Sequence, residues 1–307
     1  MARPPLVAIV GPTASGKSTL AVELAKAVDG EVVSADSMQV YRYFDIGTAK
    51  PTLPEMQGVP HHMIDVVSPH EPFSVSDYRK QAMAAIEDIL CRGKKVILCG
   101  GTGLYIRALT RGLADTPEGD CKLRRGLRQK LEEGGSEALH EQLKKIDPAA
   151  AKSIHPNNVV RVIRAIEVAM LSGRKLSEYQ SAHQFADAHF DLMMLGIDVS
   201  REALYARIES RVDKMIAGGL VEEVKVLLER GYGRDLKPMR SIGYKEVCAH
   251  LIDGLPLADA VELIKRDSRR YAKRQMTWFR KEDVSWGGFE ELASGRTFSE
   301  TTEFLSS

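Results

Sequence analysis

The sequence predicts an α/β fold: a parallel sheet flanked by helices, with an all-helical subdomain inserted into it. Three observations carry that reading. Short apolar runs at Leu6–Val10, Glu31–Ala35, His62–Val66, Lys95–Cys99 and Leu192–Val199 have the length and composition of buried strands. Helical or loop segments separate the first four, the rhythm of strands that all run one way. From about Asp115 to Ala188 the chain turns charged and helical, punctuated by Gly134-Gly135, Asp147-Pro148 and His155-Pro156. The expected division is therefore a core of 1–114 and 190–307 around an insertion of 115–189. After Val199 the pattern is helical again, and a polar tail is expected from about Gly287.

Bulk composition narrows the class. The 307 residues are 44% hydrophobic and 28% charged, with a formal net charge of +1, so any basic surface must be local. The four cysteines contain no CxxC pair and predict reduced thiols rather than zinc or disulfides. The apolar run Pro4–Val10 is too short for a secretion signal or a membrane span, and a cytoplasmic protein is expected.

The first strand runs into Gly11-Pro12-Thr13-Ala14-Ser15-Gly16-Lys17-Ser18, which fits G-x-x-x-x-G-K-[ST] without a gap. Its glycines let backbone N–H groups turn inward on an oxyanion, and the following helix adds its dipole. Lys17 supplies a charge and Ser18 a hydroxyl for Mg²⁺. The fold expected is thus P-loop-type. An ATPase or GTPase of that type also needs an acidic residue closing an apolar strand. The strand best placed for it ends instead in Gly100-Gly101-Thr102-Gly103, small residues that imply a close approach of a ligand or another backbone. Asp65 is an alternative acid, though a strand-end aspartate is more often structural.

Asp36 follows the second strand, expected next to where the first delivers the loop. It is a candidate general base, with helix capping by Asp36 or Ser37 an equal alternative. Further on, Lys265–Lys281 carries eight Lys/Arg against the single acid Asp267. Tyr271 and Trp278 share a helical face there, interleaved with Arg274 and Lys281, a pattern suited to phosphates and unstacked bases. The alternative is a solvated helix with Trp278 and Phe279 in the core. Val159, Val162, Ile163, Ile166 and Met170 form an apolar stripe, with Arg161 and Arg164 on the other side as surface charges.

The segments GPTASGKS, DSMQVYRYFDIGTAKP, HHMIDV, CGGTGLY, RVIRAIEV, RSIGYKE and KRQMTWFRK occur in this order between Val7 and Lys281. Together they resemble the motifs of the bacterial tRNA dimethylallyltransferases, also called tRNA isopentenyltransferases. The resemblance implies that the loop Gly11–Ser18 holds the diphosphate of dimethylallyl diphosphate rather than ATP for hydrolysis, with Mg²⁺ on Ser18. Asp36 then takes a proton from the attacking N6 of a tRNA adenine, and Lys17, Thr102 and Arg211 complete the catalytic set. On pattern alone Arg211 is a solvated helix charge.

By the same resemblance, RNA contacts fall on Asp36, Ser37, Met38 and Gln39, on Thr102, on Arg124 and on Val160-Arg161-Val162-Ile163-Arg164. They continue on Arg240-Ser241-Ile242-Gly243-Tyr244-Lys245 and on Lys273-Arg274-Gln275-Met276-Thr277-Trp278-Phe279-Arg280. Val160 stands where many bacterial members have a glutamine, and the C-terminal zinc finger of eukaryotic relatives is not expected. A monomer is expected, with tRNA and dimethylallyl diphosphate as partners and no membrane. Three other readings compete: an adenylate isopentenyltransferase, a small-molecule kinase and a non-catalytic RNA-binding module. The insertion and basic helix disfavour the first, the Gly100–Gly103 strand end the second, and an intact Lys17, Ser18 and Asp36 the third.

Overall fold

The computed structural model describes residues 3–183 and 189–306. The chain divides into two units, Met1–Thr110 with His189–Ser307, and Arg111–Ala188. Positions 184–188, where the insertion was expected to end, lie outside the described residues.

The larger unit opens with β1 (Pro5–Val10), α1 (Lys17–Val28), β2 (Gly30–Ser34), α2 (Leu53–Met56), β3 (His61–His62), α3 (Val75–Cys91), β4 (Lys95–Gly100) and α4 (Gly103–Arg111). The smaller unit contains α5 (Cys121–Ile146), α6 (Pro148–Ser153), α7 (Val159–Ser172) and α8 (Leu176–His183). The larger unit resumes with β5 (Asp191–Ile197), α9 (Arg201–Ala217), α10 (Leu220–Glu229), a 3₁₀ turn at Pro238–Arg240, α11 (Tyr244–Asp253), α12 (Leu257–Phe279), β6 (Ser285–Gly287), α13 (Phe289–Ser294) and α14 (Arg296–Ser306).

The strands form one sheet in the order β3-β2-β4-β1-β5-β6, every neighbour parallel. Period-2 alternation sends β1 side chains into two cores, as a sheet covered on both faces requires. Leu6, Ala8 and Val10 join Tyr78, Ile86, Leu109, Tyr244 and Phe279 on one side. Val7 and Ile9 join Leu20, Leu24, Leu292 and Leu305 on the other.

The structure corrects the sequence reading at several points. β4 lies between β1 and β2, so Asp36 is two strands from the glycine loop rather than beside it. The third strand stops at His62, because Met63 (φ 63°) and Asp65 (φ 55°) are left-handed and cannot continue an extended ladder. Asp65 is engaged by Lys50 at 2.6 Å, which fits the structural role weighed for it. The tail is ordered structure, with β6 at the sheet edge and two helices after it. Those helices bury Leu292, Thr301 and Leu305 against the second core. All four cysteines are free thiols. No described helix is long and apolar enough to cross a membrane.

In the smaller unit, Gly135 takes φ 75° and breaks α5 into two helices. α7 packs Val162, Ile163 and Ile166 against Leu127, Leu139 and Leu143, while Met170 at the far end of the expected stripe is exposed.

Candidate active site

β1 delivers the glycine loop to the carboxyl edge of the sheet, where ligands of open α/β folds bind. The loop turns through left-handed φ at Gly11 (137°), Ala14 (63°) and Gly16 (102°). Glycine meets that demand freely at two positions, whereas Ala14 is held by packing on Leu204, Ile208 and Ala272. α1 then begins with no side-chain cap, so its first N–H groups remain for an anion. The buried Ser15 hydroxyl has no partner among the described residues and sits in the same loop.

A cavity of about 500 Å³ opens onto this loop. Thr13, Lys17 and Ser18 line it from the glycine loop and α1. Asp36, Ser37, Met38 and Gln39 line it beyond β2. Gly100 and Gly101 come from β4, Arg211 from α9, Arg240, Ser241, Ile242, Gly243 and Lys245 from around the 3₁₀ turn, and Tyr271, Arg274 and Gln275 from α12. Segments scattered over the chain thus meet at one site.

Lys17 Nζ donates to the Pro12 carbonyl at 2.5 Å. Burial lowers its pKa to about 8, with Arg211 adding to the effect and Cys99 and Asp36 opposing it. Arg211 is itself pushed down by burial, while the attraction of Asp36 works the other way. This arginine is therefore a group of the site, not the solvated charge its helix pattern implies. Burial also raises the Cys99 thiol to about 11, leaving it neutral.

The local turn fixes Asp36. Its Oδ1 accepts N–H bonds from Met38 (2.8 Å) and Gln39 (3.3 Å), so one oxygen caps the turn and Oδ2 remains for chemistry. The two roles weighed for this residue are compatible. Thr102 braces the turn: its Oγ1 accepts the Ser37 N–H at 3.1 Å, and its own N–H donates to Ala35 O at 3.1 Å. The side chain of Gln39 accepts from Ser34 Oγ at 3.1 Å and donates to Ala49 O at 3.2 Å.

The Gly100–Gly103 strand end is explained by close approach. A Cβ on Gly100 would strike the Ala35 backbone, one on Gly101 the Gln275 amide, and one on Gly103 the Trp278 indole. No carboxylate occupies that strand end. Asp36 is the one carboxylate lining the cavity among the described residues. No described group of three or more His, Cys, Asp or Glu could hold a metal ion. Ser18 is placed in the lining to hold a cation together with ligand and water oxygens, a sparse set that suits Mg²⁺.

Several residues expected at an RNA surface are placed in cores. Val162, Ile163, Tyr244 and Phe279 are buried, so their side chains build the surface from beneath. The Trp278 indole packs beneath Gly103 with Arg107 stacked on it 4.4 Å from the ring centre, which favours the packed alternative for it. Arg164 is no free surface charge: it binds Glu167, Thr116 Oγ1 (2.9 Å) and Pro117 O (2.7 Å). Arg124 joins the same fully buried Glu167 at 2.8 Å. Burial pushes the Glu167 carboxyl up, but the bonds from Arg124, Arg164 and the Asp120 N–H outweigh it and hold it below its usual range. Val160 and Arg161 are exposed on α7.

Basic helix α12 is less charged toward solvent than its sequence implies. Lys265 pairs with Asp213, Arg269 with Glu209, and Arg266 and Arg270 with Asp267. Lys273, Arg274, Thr277, Arg280 and Lys281 form the exposed ridge, with Met276 half-buried beside it. Arg240 pairs with Asp235 and Lys245 with Asp267. Tyr271, expected on a nucleic-acid-binding face, lines the cavity; Gln275, expected as an RNA contact, is a buried support; and sequence reasoning missed Glu223. Their partners lie far off in the chain and leave no local signal.

A glycine loop feeding a helix at the tip of a parallel sheet, ringed by lysine and arginine and faced by a lone carboxylate, defines a P-loop-type phosphate-binding protein. That carboxylate, Asp36, follows β2 and does not stand at the tip of β4. Over residues 39–282 the sequence matches the IPP transferase family, and the chain belongs to that family. A tRNA dimethylallyltransferase of Geobacter metallireducens is 54% identical over 94% of this chain and 95% of its own length. Another from Pelobacter propionicus is 52% identical over 94% of each. The crystal structure of a tRNA isopentenylpyrophosphate transferase from Bacillus halodurans matches with a TM-score of 0.73 at 44% identity, covering 99% of this chain and 98% of that one. A eukaryotic dimethylallyltransferase acting on tRNA matches with a TM-score of 0.84 at 32% identity, covering 99% of this chain and 80% of that one.

Proposed function

We propose that the protein transfers a dimethylallyl group from dimethylallyl diphosphate to N6 of the adenosine 3′ of the anticodon in tRNA, releasing diphosphate. The observation that carries this reading is the meeting of Lys17, Arg211 and the glycine loop with Asp36 at one cavity that has no acidic residue on β4. Such a site favours departure of a diphosphate over aiming water at one. The names of the relatives, at about half identity over nearly the whole chain, support the same reaction.

In this scheme the adenine N6 attacks the allylic carbon, a C–N bond forms, and the C–O bond to diphosphate breaks. N6 is a weak nucleophile because its lone pair is delocalised. Asp36 Oδ2 takes the N6 proton as the bond forms, while Oδ1 stays tied to the Met38 and Gln39 amides. Charge gathers on the leaving diphosphate, where the loop amides, Lys17 and Arg211 receive it. Mg²⁺, held through Ser18, would add Lewis-acid stabilisation of the same charge. Gln39, locked between Ser34 and the Ala49 carbonyl, orients the target base.

The exposed ridge Lys273, Arg274, Arg280 and Lys281 carries phosphates of the anticodon stem-loop, and Val160 and Arg161 contribute from the helical unit. The target adenine leaves its stack to reach the cavity. The protein acts as a monomer in the cytoplasm.

A transfer assay with labelled dimethylallyl diphosphate and Mg²⁺ tests the reading, with unmodified tRNA in one tube and AMP in another. Label in tRNA alone is expected. Label in AMP would instead make this an adenylate transferase, and label in neither would return the kinase reading.

A further inference from the structure

Helix α12 places one buried amide against the glycine loop. Gln275 is 6% exposed, and both ends of its side chain are engaged. Its Oε1 accepts the Thr13 N–H at 2.9 Å, and its Nε2 donates to Gly101 O at 3.0 Å. The glycine loop, the β4 tip and α12 therefore meet on a single side chain. Gly101 has to lack a side chain for this, since a Cβ there would strike Nε2.

The peptide that Gln275 grips is the one to which Lys17 is moored. The Pro12 carbonyl and the Thr13 N–H are two ends of one peptide plane, pointing in opposite directions because the bond is trans. Gln275 holds the N–H end, and Lys17 Nζ holds the C=O end at 2.5 Å. Rotation of that plane would release both contacts together. A primary amide offers an acceptor and a donor at this spacing at every working pH, and a carboxyl does so only when protonated. A carboxylate would face the Gly101 carbonyl with a second acceptor, and a thioether would leave both backbone groups unpaired.

We propose that Gln275 is a positioning residue of the diphosphate cradle: by fixing the Pro12–Thr13 peptide plane it sets where the Lys17 ammonium stands. This rests on the reading of the glycine loop as a diphosphate site. It separates Gln275 from its neighbours Lys273 and Arg280, which are exposed, and from Arg274, which is exposed at the cavity mouth. Both polar atoms of the Gln275 amide are engaged with the protein.

The test uses the full chain with inorganic pyrophosphate as probe, titrated calorimetrically, beside filter binding of tRNA and steady-state transfer. Gln275→Met is expected to weaken pyrophosphate binding by about tenfold or more and to raise the donor KM more than it lowers kcat, since positioning losses of this kind run to 10²-fold. The tRNA Kd should stay within about twofold. Gln275→Glu guards against a folding defect. It keeps the acceptor for Thr13, and protonating the introduced carboxyl restores a donor to Gly101, so its pyrophosphate affinity should approach wild type as pH falls. Wild-type affinity in Gln275→Met, or no recovery of Gln275→Glu at low pH, overturns the proposal while leaving the diphosphate reading intact. Loss of tRNA binding with pyrophosphate binding kept would make Gln275 an RNA contact. Failure of the wild-type protein to bind pyrophosphate would remove the diphosphate reading itself.

Discussion

Lys17 and Pro12 are joined by an N–H···O bond of 2.5 Å across the glycine loop. The ammonium is thus stored against its own backbone, half-buried on the cavity wall with Arg211, and its pKa falls to about 8. An anion in the loop favours the charged form and raises that value again. With the ionisation of pyrophosphate itself subtracted, affinity should therefore be flat below about pH 8 and weaken by about tenfold per unit above it, with proton uptake by the protein in that upper range. Lys17→Arg, charged throughout, should flatten the profile. The depressed pKa also links to stability. Between about 8 and the ordinary 10.5 the native state binds fewer protons than the unfolded chain, so ligand-free stability rises with pH across that window. Below pH 8 the desolvated charge costs most, and Lys17→Met should raise the melting temperature of the ligand-free protein there. A pH series of calorimetric titrations and thermal melts checks both.

Asp36 permits a clean separation of its two roles. Asparagine keeps the Oδ1 that accepts from Met38 and Gln39, so the turn survives, but it cannot take a proton. Asp36→Asn should lower single-turnover transfer by roughly 10²–10⁴-fold with tRNA affinity nearly intact. Transfer at the wild-type rate would remove Asp36 as the base.

Two arginines that look alike in sequence should behave differently. Arg161 is exposed, and Arg161→Ala should weaken tRNA binding and lower its salt dependence by about one counterion, with no change in melting. Arg164 neutralises the buried Glu167 and caps the Thr116–Pro117 segment. Its loss leaves Arg124 as the remaining cation on Glu167, and Arg164→Ala should cost the helical unit about 2–3 kcal/mol. Circular dichroism melts beside salt-series binding curves distinguish the two. Equal melting temperatures would return Arg164 to the surface.

What the sequence revealed follows from how local each feature is. The glycine loop is contiguous, and its strand is buried on both faces, so pattern and function coincide at Gly11–Ser18. Asp36 was visible because strand ends point at the site, although β4 intervening between β1 and β2 was not. β6 escaped because its three residues bury only in part and hold the sheet edge by pairing with Leu195–Ile197. The basic helix was overread because counting along α12 hides the acids that α9 brings against Lys265 and Arg269. Gln275 reads in sequence as an RNA contact rather than a support, and Glu223 does not stand out, because the backbone groups they hold lie more than a hundred residues away.

Glu223 shows how far such support reaches. Its carboxylate accepts the N–H groups of Asp45 (3.2 Å), Ile46 (2.8 Å) and Gly47 (3.3 Å), and the Tyr244 hydroxyl at 2.5 Å. Burial and then the Glu223 charge push the Tyr244 phenol far up, so it stays a donor at every working pH. The turn so held presents Gly47, Thr48 and Ala49 to the cavity, and the Ala49 carbonyl anchors Gln39. Tyr244→Phe removes one bond among several and should cost about 0.5–1.5 kcal/mol. Glu223→Gln turns an NH₂ toward backbone donors and should cost about 2–3 kcal/mol. Because the turn holds Gln39 and not the glycine loop, Glu223→Gln should raise KM for tRNA several-fold while leaving the donor KM near wild type. Melting curves and the two KM values test this together. A parallel rise in both constants would mean that Glu223 stabilises the fold without positioning the base.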